Sequence, residues 1–176
     1  MNLTLLDALL VFLVGHKGQS GYDIRQLFQA TPLGIFSDSP GSIYPSLARL
    51  EARGLLASSS EAAGRRRRSY SRTAEGTKAL NAWLAMRIGD GAKLKPAEVE
   101  LRFVMIAETH GWAKAKQFLS AAEALYAHEL KELEAFMAGP GAAMSRPSRA
   151  AVELGMRTVR LRIQWCRDVQ KQKGRD

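Results

Sequence analysis

Ser39-Pro40-Gly41-Ser42-Ile43-Tyr44-Pro45-Ser46-Leu47-Ala48-Arg49-Leu50-Glu51-Ala52-Arg53-Gly54 reads as one helix with both ends marked. Ser39 before Pro40 is an N-cap followed by proline at the first helical position, and Gly54 is a natural left-handed stop. Ile43, Leu47 and Leu50, at i, i+4 and i+7, give one apolar stripe. Opposite it lie Ser42, Ser46, Arg49 and Arg53, a polar and basic face. Serine and arginine on the free side of a short helix suit a major groove, where they reach base edges and phosphates.

Working outward, the chain upstream predicts two more helices. The apolar run from Leu3 to Val14 ends at Gly15, with a tight connection to Gly18. It is too short for a membrane span, which needs about 20 residues, and Asp7 interrupts it; it reads as a helix buried on nearly every side. A second helix over 20–29 takes Ser20 as its N-cap and buries Ile24, Leu27 and Phe28, and Thr31-Pro32-Leu33-Gly34 breaks it. Downstream, Leu55 to Ser60 reads as a strand and Arg66 to Arg72 as its partner, joined near Glu61-Ala62-Ala63-Gly64. Thr73 caps a helix running to about Arg87. Arg65, Arg66, Arg67 and Arg68 follow the hairpin turn; on a strand alternate side chains face opposite ways, whereas at a ribbon tip all four can lie near phosphate.

The second half has another texture. Gly89-Asp90-Gly91-Ala92 is a linker, Pro96 opens a helix to Gly111, and a long helix covers 112–138. Gly139-Pro140-Gly141 ends it, and Ser145 to Ser148 leads into a last helix of about 148–172. There Val152, Met156, Val159, Ile163 and Cys166 step by four and three, the spacing of a coiled-coil seam. Leu119, Ala122, Tyr126, Leu130, Leu133 and Met137 form a similar run in the long helix. Paired seams on so small a chain predict packing on a second copy, a homodimer.

Composition narrows the classes. The 176 residues carry 26 Lys+Arg against 17 Asp+Glu, a net +9, which favours a polyanionic partner. At 46% apolar residues the chain can bury a core. The one cysteine, Cys166, excludes a disulfide framework and any multi-cysteine metal site. A reducing cytoplasm is the expected setting, without a membrane anchor or signal segment. His16, His110 and His128 lack metal spacing, and there is neither a phosphate loop nor a nucleophile elbow. No catalytic residue, metal or cofactor is expected, and the chain is not read as an enzyme. The surplus charge is spread: from Ser145 onward there are nine basic and three acidic residues, on a helix where DNA contact is not expected.

At the level of motifs the chain resembles the PadR-like transcriptional regulators. The resemblance rests on Gly21-Tyr22-Asp23-Ile24, on Pro40-Gly41-Ser42-Ile43-Tyr44-Pro45 leading to Leu47, Arg49-Leu50-Glu51 and Gly54-Leu55, on the basic hairpin, and on Tyr70 and Thr73-Ala74-Glu75-Gly76. It covers about 3–88. Pro45 removes a helical hydrogen bond and costs about 3 kcal/mol on propensity, but so near the helix start a local distortion is tolerable, and the family keeps a proline there. Two departures lie in the strand after the arginines, where Ser69 replaces an aromatic and Arg72 an aliphatic residue. A buried Arg72 would need a carboxylate, which Glu75 or Asp7 could supply.

The resemblance implies a mainly α protein with a winged helix–turn–helix at 1–88, three helices plus a hairpin wing, and a long-helix dimerisation and effector domain at 93–176. It implies a homodimeric repressor of an adjacent gene, bound to an inverted repeat in double-stranded DNA and released by a small aromatic or lipophilic effector. The DNA-facing set it implies is Tyr22, Ser42, Tyr44, Pro45 and Arg49, to which the hairpin adds Arg65, Arg66, Arg67 and Arg68. Trp83, Phe103, Trp112, Phe118, Tyr126 and Trp165 are the candidate effector walls. The competing readings are a helical adaptor whose winged helix binds another protein, and an RNA-binding module using the same hairpin.

Overall fold

The structure is a computed structural model and describes residues 3–15, 18–31, 40–60, 68–88 and 95–173. The chain divides into two compact units, Met1–Met86 and Arg87–Asp176.

The first unit runs α1 (Leu5–Val14), β1 (Gln19–Ser20), α2 (Gly21–Ala30), α3 (Pro40–Ala52), β2 (Leu56–Ser60), β3 (Arg68–Arg72) and α4 (Ala74–Ala85). Each of the first two helices opens with a reciprocal cap. Thr4 and Asp7 exchange backbone and side-chain hydrogen bonds at α1, and Ser20 and Asp23 do the same at α2. Helix α3 continues through Pro45 and stops before Gly54, whose φ of +69° no β-carbon residue adopts cheaply. The expected cap at Ser39, the hairpin turn and the 89–92 linker lie outside the described residues.

The sheet has the order β1-β3-β2, all antiparallel. Strands β2 and β3 are the expected hairpin, in register from Leu56 opposite Arg72 to Ser60 opposite Arg68. The two-residue strand β1 was not foreseen, because two residues carry no alternation pattern. It pairs Gln19 with Tyr70 and Ser20 with Ser69, so the small Ser69 faces another serine across the ladder. The core gathers Leu9, Leu10, Val14, Ile24, Phe28, Ile43, Leu47, Leu50, Leu55, Leu80 and Trp83.

The second unit is α5 (Pro96–His110), α6 (Trp112–Ala138), a 3-10 turn at Pro140–Ala143, and α7 (Arg146–Lys171). Helix α7 begins two residues before the expected start, because Ser145 is its N-cap and Pro147 fits a first turn that needs no N–H. The Trp112 indole donates to the Gln172 carbonyl at 3.3 Å, tying the start of α6 to the end of α7.

The two seams meet each other. Leu119, Ala122 and Tyr126 of α6 form one buried cluster with Val159, Ile163, Cys166 and Val169 of α7 and Val99 of α5. The seam pattern is therefore satisfied inside one chain, and it does not by itself call for a second copy. Ion pairs flank the contact, Arg160 to Glu134 at 2.8 Å and Arg167 to Glu123 at 2.7 Å. Part of the positive charge of α7 thus neutralises α6.

Candidate nucleic-acid interface

The exposed side of α3 is built by subtraction. Burying Ile43, Leu47 and Leu50 leaves Tyr44, Pro45, Ala48 and Arg49 at the surface, with Ser42 half-buried at the edge. Ser46, read from the sequence as part of the polar face, is buried instead. Tyr44 is 46% exposed and Tyr22 on α2 is 48% exposed, a high fraction for such large rings. The two helices touch through the first of them. A β-carbon at Gly21 would stand 2.6 Å from Tyr44 Cε1, so the glycine gives the ring a seat at the start of α2.

Two arginines of the predicted set are held by carboxylates. Arg49 Nη2 donates to Asp7 Oδ1 at 2.6 Å and to Ser46 Oγ at 3.1 Å. Asp7 is almost wholly buried in α1, and its other oxygen accepts the Thr4 backbone N–H at 3.1 Å. Burial alone would raise the Asp7 carboxyl, but the hydrogen bonds from Arg49 and Thr4 and the Arg49 charge together hold it below the usual carboxylate range.

Arg68 opens β3 and grips α3. Its Nη2 donates to both Glu51 oxygens at 2.7 Å, and its Nε donates to Ser58 Oγ at 2.9 Å. The Ser58 hydroxyl in turn donates to Glu51 at 2.6 Å. The Ser58 hydroxyl first, and then Arg68, hold the Glu51 carboxyl below its ordinary range. The Arg68 guanidinium also lies 5.6 Å from the Tyr70 ring centre. One carboxylate near the end of α3 thereby holds both strands of the wing, at Ser58 in the middle of β2 and at Arg68 on the turn side of β3. Arg65, Arg66 and Arg67 lie outside the described residues.

The two departures in β3 now have a physical account. Arg72 is only half-buried, and its Cγ lies against Gly76 on the first turn of α4. Its aliphatic stem fills the place of the expected aliphatic residue. The carboxylates offered to it from the sequence are engaged elsewhere, Asp7 with Arg49 and Glu75 with Lys78 at 2.8 Å. The signal for the Asp7–Arg49 pair was present in the sequence, as an acid inside an apolar run, but the fold had to choose among its possible partners.

The candidate effector walls separate. Trp83 belongs to the core of the first unit. In the second unit Phe103 meets Trp112 and Trp165, each edge-to-face with ring centres 5.7 Å apart. Phe118 carries the Arg102 guanidinium 5.1 Å from its ring centre. Tyr126 is buried in the seam, where burial pushes its hydroxyl up to about 12. Cys166 lies in the same seam, and burial pushes its thiol up to about 11, away from the reactive thiolate. Among the described residues no three His, Cys, Asp or Glu side chains gather to hold a metal, and no helix is long and apolar enough to cross a membrane.

Three helices, a hairpin strapped to the third of them, and an exposed aromatic and basic helix face define a winged helix–turn–helix. Residues 9–82 match the transcriptional regulator PadR-like family. No curated protein matches the chain at a significant level. Among solved structures, Bacillus subtilis PadR in complex with operator DNA is similar at 20% identity, with a TM-score of 0.46 over 97% of this chain and 98% of that one. The same protein in complex with p-coumaric acid is similar at 18% identity and a TM-score of 0.43, over 94% and 93% of the two chains. A PadR-like transcriptional regulator from Bacillus cereus is similar at 16% identity and a TM-score of 0.40, again over 94% and 93%.

Proposed function

We propose that this regulator is a homodimeric repressor that binds an inverted repeat near its own gene and releases it when a small aromatic or lipophilic molecule binds. The observation that carries the reading is the exposed face of α3, where Tyr44 and Arg49 stand beside Tyr22 of α2 in a PadR-like head. Large rings half in water are costly to leave uncovered and suit contact with sugars, phosphates and base edges. Residues 1–88 serve as the DNA-binding head and 93–176 as the dimerisation and effector body. Arg65, Arg66 and Arg67 carry the phosphate contacts of the wing, with Arg68 bracing the hairpin on Glu51 of α3.

A second seam on α7 supports the dimer. Ala151, Leu154, Thr158 and Leu161 step by three, four and three along a face outside the cluster packed on α6. Leu154 and Leu161 on it are 66% and 68% exposed. Two leucines two turns apart and uncovered are the anchors a self-complementary helix pair uses. For the effector, the cluster of Phe103, Trp112 and Trp165 supplies aromatic edges and faces of the kind such ligands pack on.

A salt titration on duplex DNA tests the reading. Promoter-region duplex is expected to bind in the nanomolar range, and replacing Arg65, Arg66 and Arg67 by alanine flattens the dependence of log affinity on log salt by up to about three units. Equal affinity for promoter and shuffled duplex at physiological salt overturns specific repression and favours a protein-binding role. Quenching of tryptophan fluorescence by an aromatic ligand, together with loss of DNA binding, is the expected sign of release.

A further inference from the structure

We propose that Asp7 is a positioning residue for DNA recognition, holding one nitrogen of Arg49 from behind α3 and so fixing how the rest of the guanidinium fork is presented. The inference rests on the DNA-binding reading and adds a residue to it that lies away from the reading face. Asp7 is 2% exposed. Its Oδ2 is committed to the Thr4 N–H at 3.1 Å, which caps α1 and fixes the carboxylate plane. Its Oδ1 is then left to accept Arg49 Nη2 at 2.6 Å.

The second hold is Ser46, also buried, which accepts from the same nitrogen at 3.1 Å. A guanidinium has five N–H donors. Two on Nη2 are taken, and the three on Nε and Nη1 make no hydrogen bond among the described residues. The Arg49 side chain is 50% exposed. Both paired edges of the fork include Nη2, so the clamp at that corner leaves Nε and Nη1 as single donors held in fixed directions, each for one acceptor. The rotamer freedom that a loose arginine loses on binding is already lost here.

Charge makes the role separable from general attraction. Asp7 and Arg49 together are neutral, so the pair adds geometry to the interface and little to the pull on phosphate. Removing the Asp7 charge should therefore move two quantities in opposite senses. Discrimination falls because Arg49 is no longer aimed. Sequence-independent affinity holds or rises because a free cation appears. A residue that only stabilised the fold would lower both together.

The experiment measures affinity of full-length protein for tiled promoter-region duplexes and for shuffled duplexes of equal composition. In Asp7→Asn the ratio of the two affinities should fall about tenfold, with shuffled-duplex binding undiminished, and Arg49→Ala should lose the ratio as well. The double variant should lose no more than Arg49→Ala does. Ser46→Ala, which leaves the charges in place, should lower the ratio about threefold and serves if Asp7→Asn does not fold. A wild-type protein that binds both duplexes equally overturns the regulator reading itself. A discriminating wild type whose ratio survives in Asp7→Asn, or in Ser46→Ala where that variant must stand in, overturns only the role given to Asp7. Proportionate loss on both duplexes also overturns it.

Discussion

Replacing Gly76 by alanine separates helix propensity from packing in the head. On propensity alone the change should help, because alanine is favoured over glycine inside a helix by about 1 kcal/mol. The structure reverses the sign. A β-carbon at Gly76 would lie 2.1 Å from the Leu55 carbonyl oxygen and 3.1 Å from its carbon. An ordinary carbon–oxygen contact is about 3.3 Å, so the first turn of α4 and the start of the wing must part by about 1 Å. That oxygen accepts the Thr73 N–H at 3.2 Å and the Thr73 hydroxyl at 3.1 Å, and both bonds loosen with it. Overpacking costs about 1–3 kcal/mol and each weakened hydrogen bond up to about 1 kcal/mol. After the propensity gain, a net loss of about 2–3 kcal/mol remains. For a unit of this size that lowers the melting temperature by about 10–20 °C. Thermal unfolding followed by circular dichroism reads it, with Gly155→Ala as the contrast. No atom lies within 4 Å of a β-carbon at Gly155, in the interior of α7, and there alanine should stabilise by up to about 1 kcal/mol. A Gly76→Ala protein that melts at or above the wild-type temperature refutes the reasoning.

Gly21→Ala meets a side chain instead of backbone, so the half-exposed Tyr44 ring should swing away. Melting should shift by a few degrees at most, while promoter affinity falls about tenfold in an anisotropy titration. Asp7 has a folded pKa below its unfolded value, so its contribution is full above the ordinary carboxylate pKa of about 4 and is lost as pH falls through the folded value. Urea unfolding between about pH 2 and 5 should show a shallower acid decline in Asp7→Asn than in wild type. Leu154→Lys with Leu161→Lys should sediment at the monomer mass of 19.3 kDa with its helix content intact; an unchanged dimer would place the interface elsewhere. With its pKa near 11, Cys166 should resist thiolate-directed reagents at pH 8 until the chain is unfolded, and rapid labelling of the native protein would contradict its burial.

Much of the frame was legible in the chain because it rests on local chemistry. Serine and threonine caps, Pro96 at a first turn, the Gly54 stop and the 3.6-residue stripes each act within one or two turns. They placed α1 through α7 within a residue or two of where they lie, apart from the far ends settled by fraying. The exposed position of Tyr44 and Pro45 and the burial of Ile43, Leu47 and Leu50 follow from the same periodicity.

What tertiary structure decided were the choices among partners. Asp7 had to find a cation, and only the packing of α1 on α3 selected Arg49 over Arg72. Arg68 read as one of four equal phosphate ligands, yet the register of the hairpin sets it beside Ser58 and within reach of Glu51. The α6 and α7 seams read as a surface for another copy, and chain reversal at Gly139 to Met144 turned them on each other. Periodicity specifies that a face must be covered, because burying apolar area is favourable wherever the cover comes from. It carries no information on which face arrives, since that depends on contacts between residues distant in sequence. The sequence thus determined the elements and the buried side of each, and the fold determined which charges remain free on the reading face.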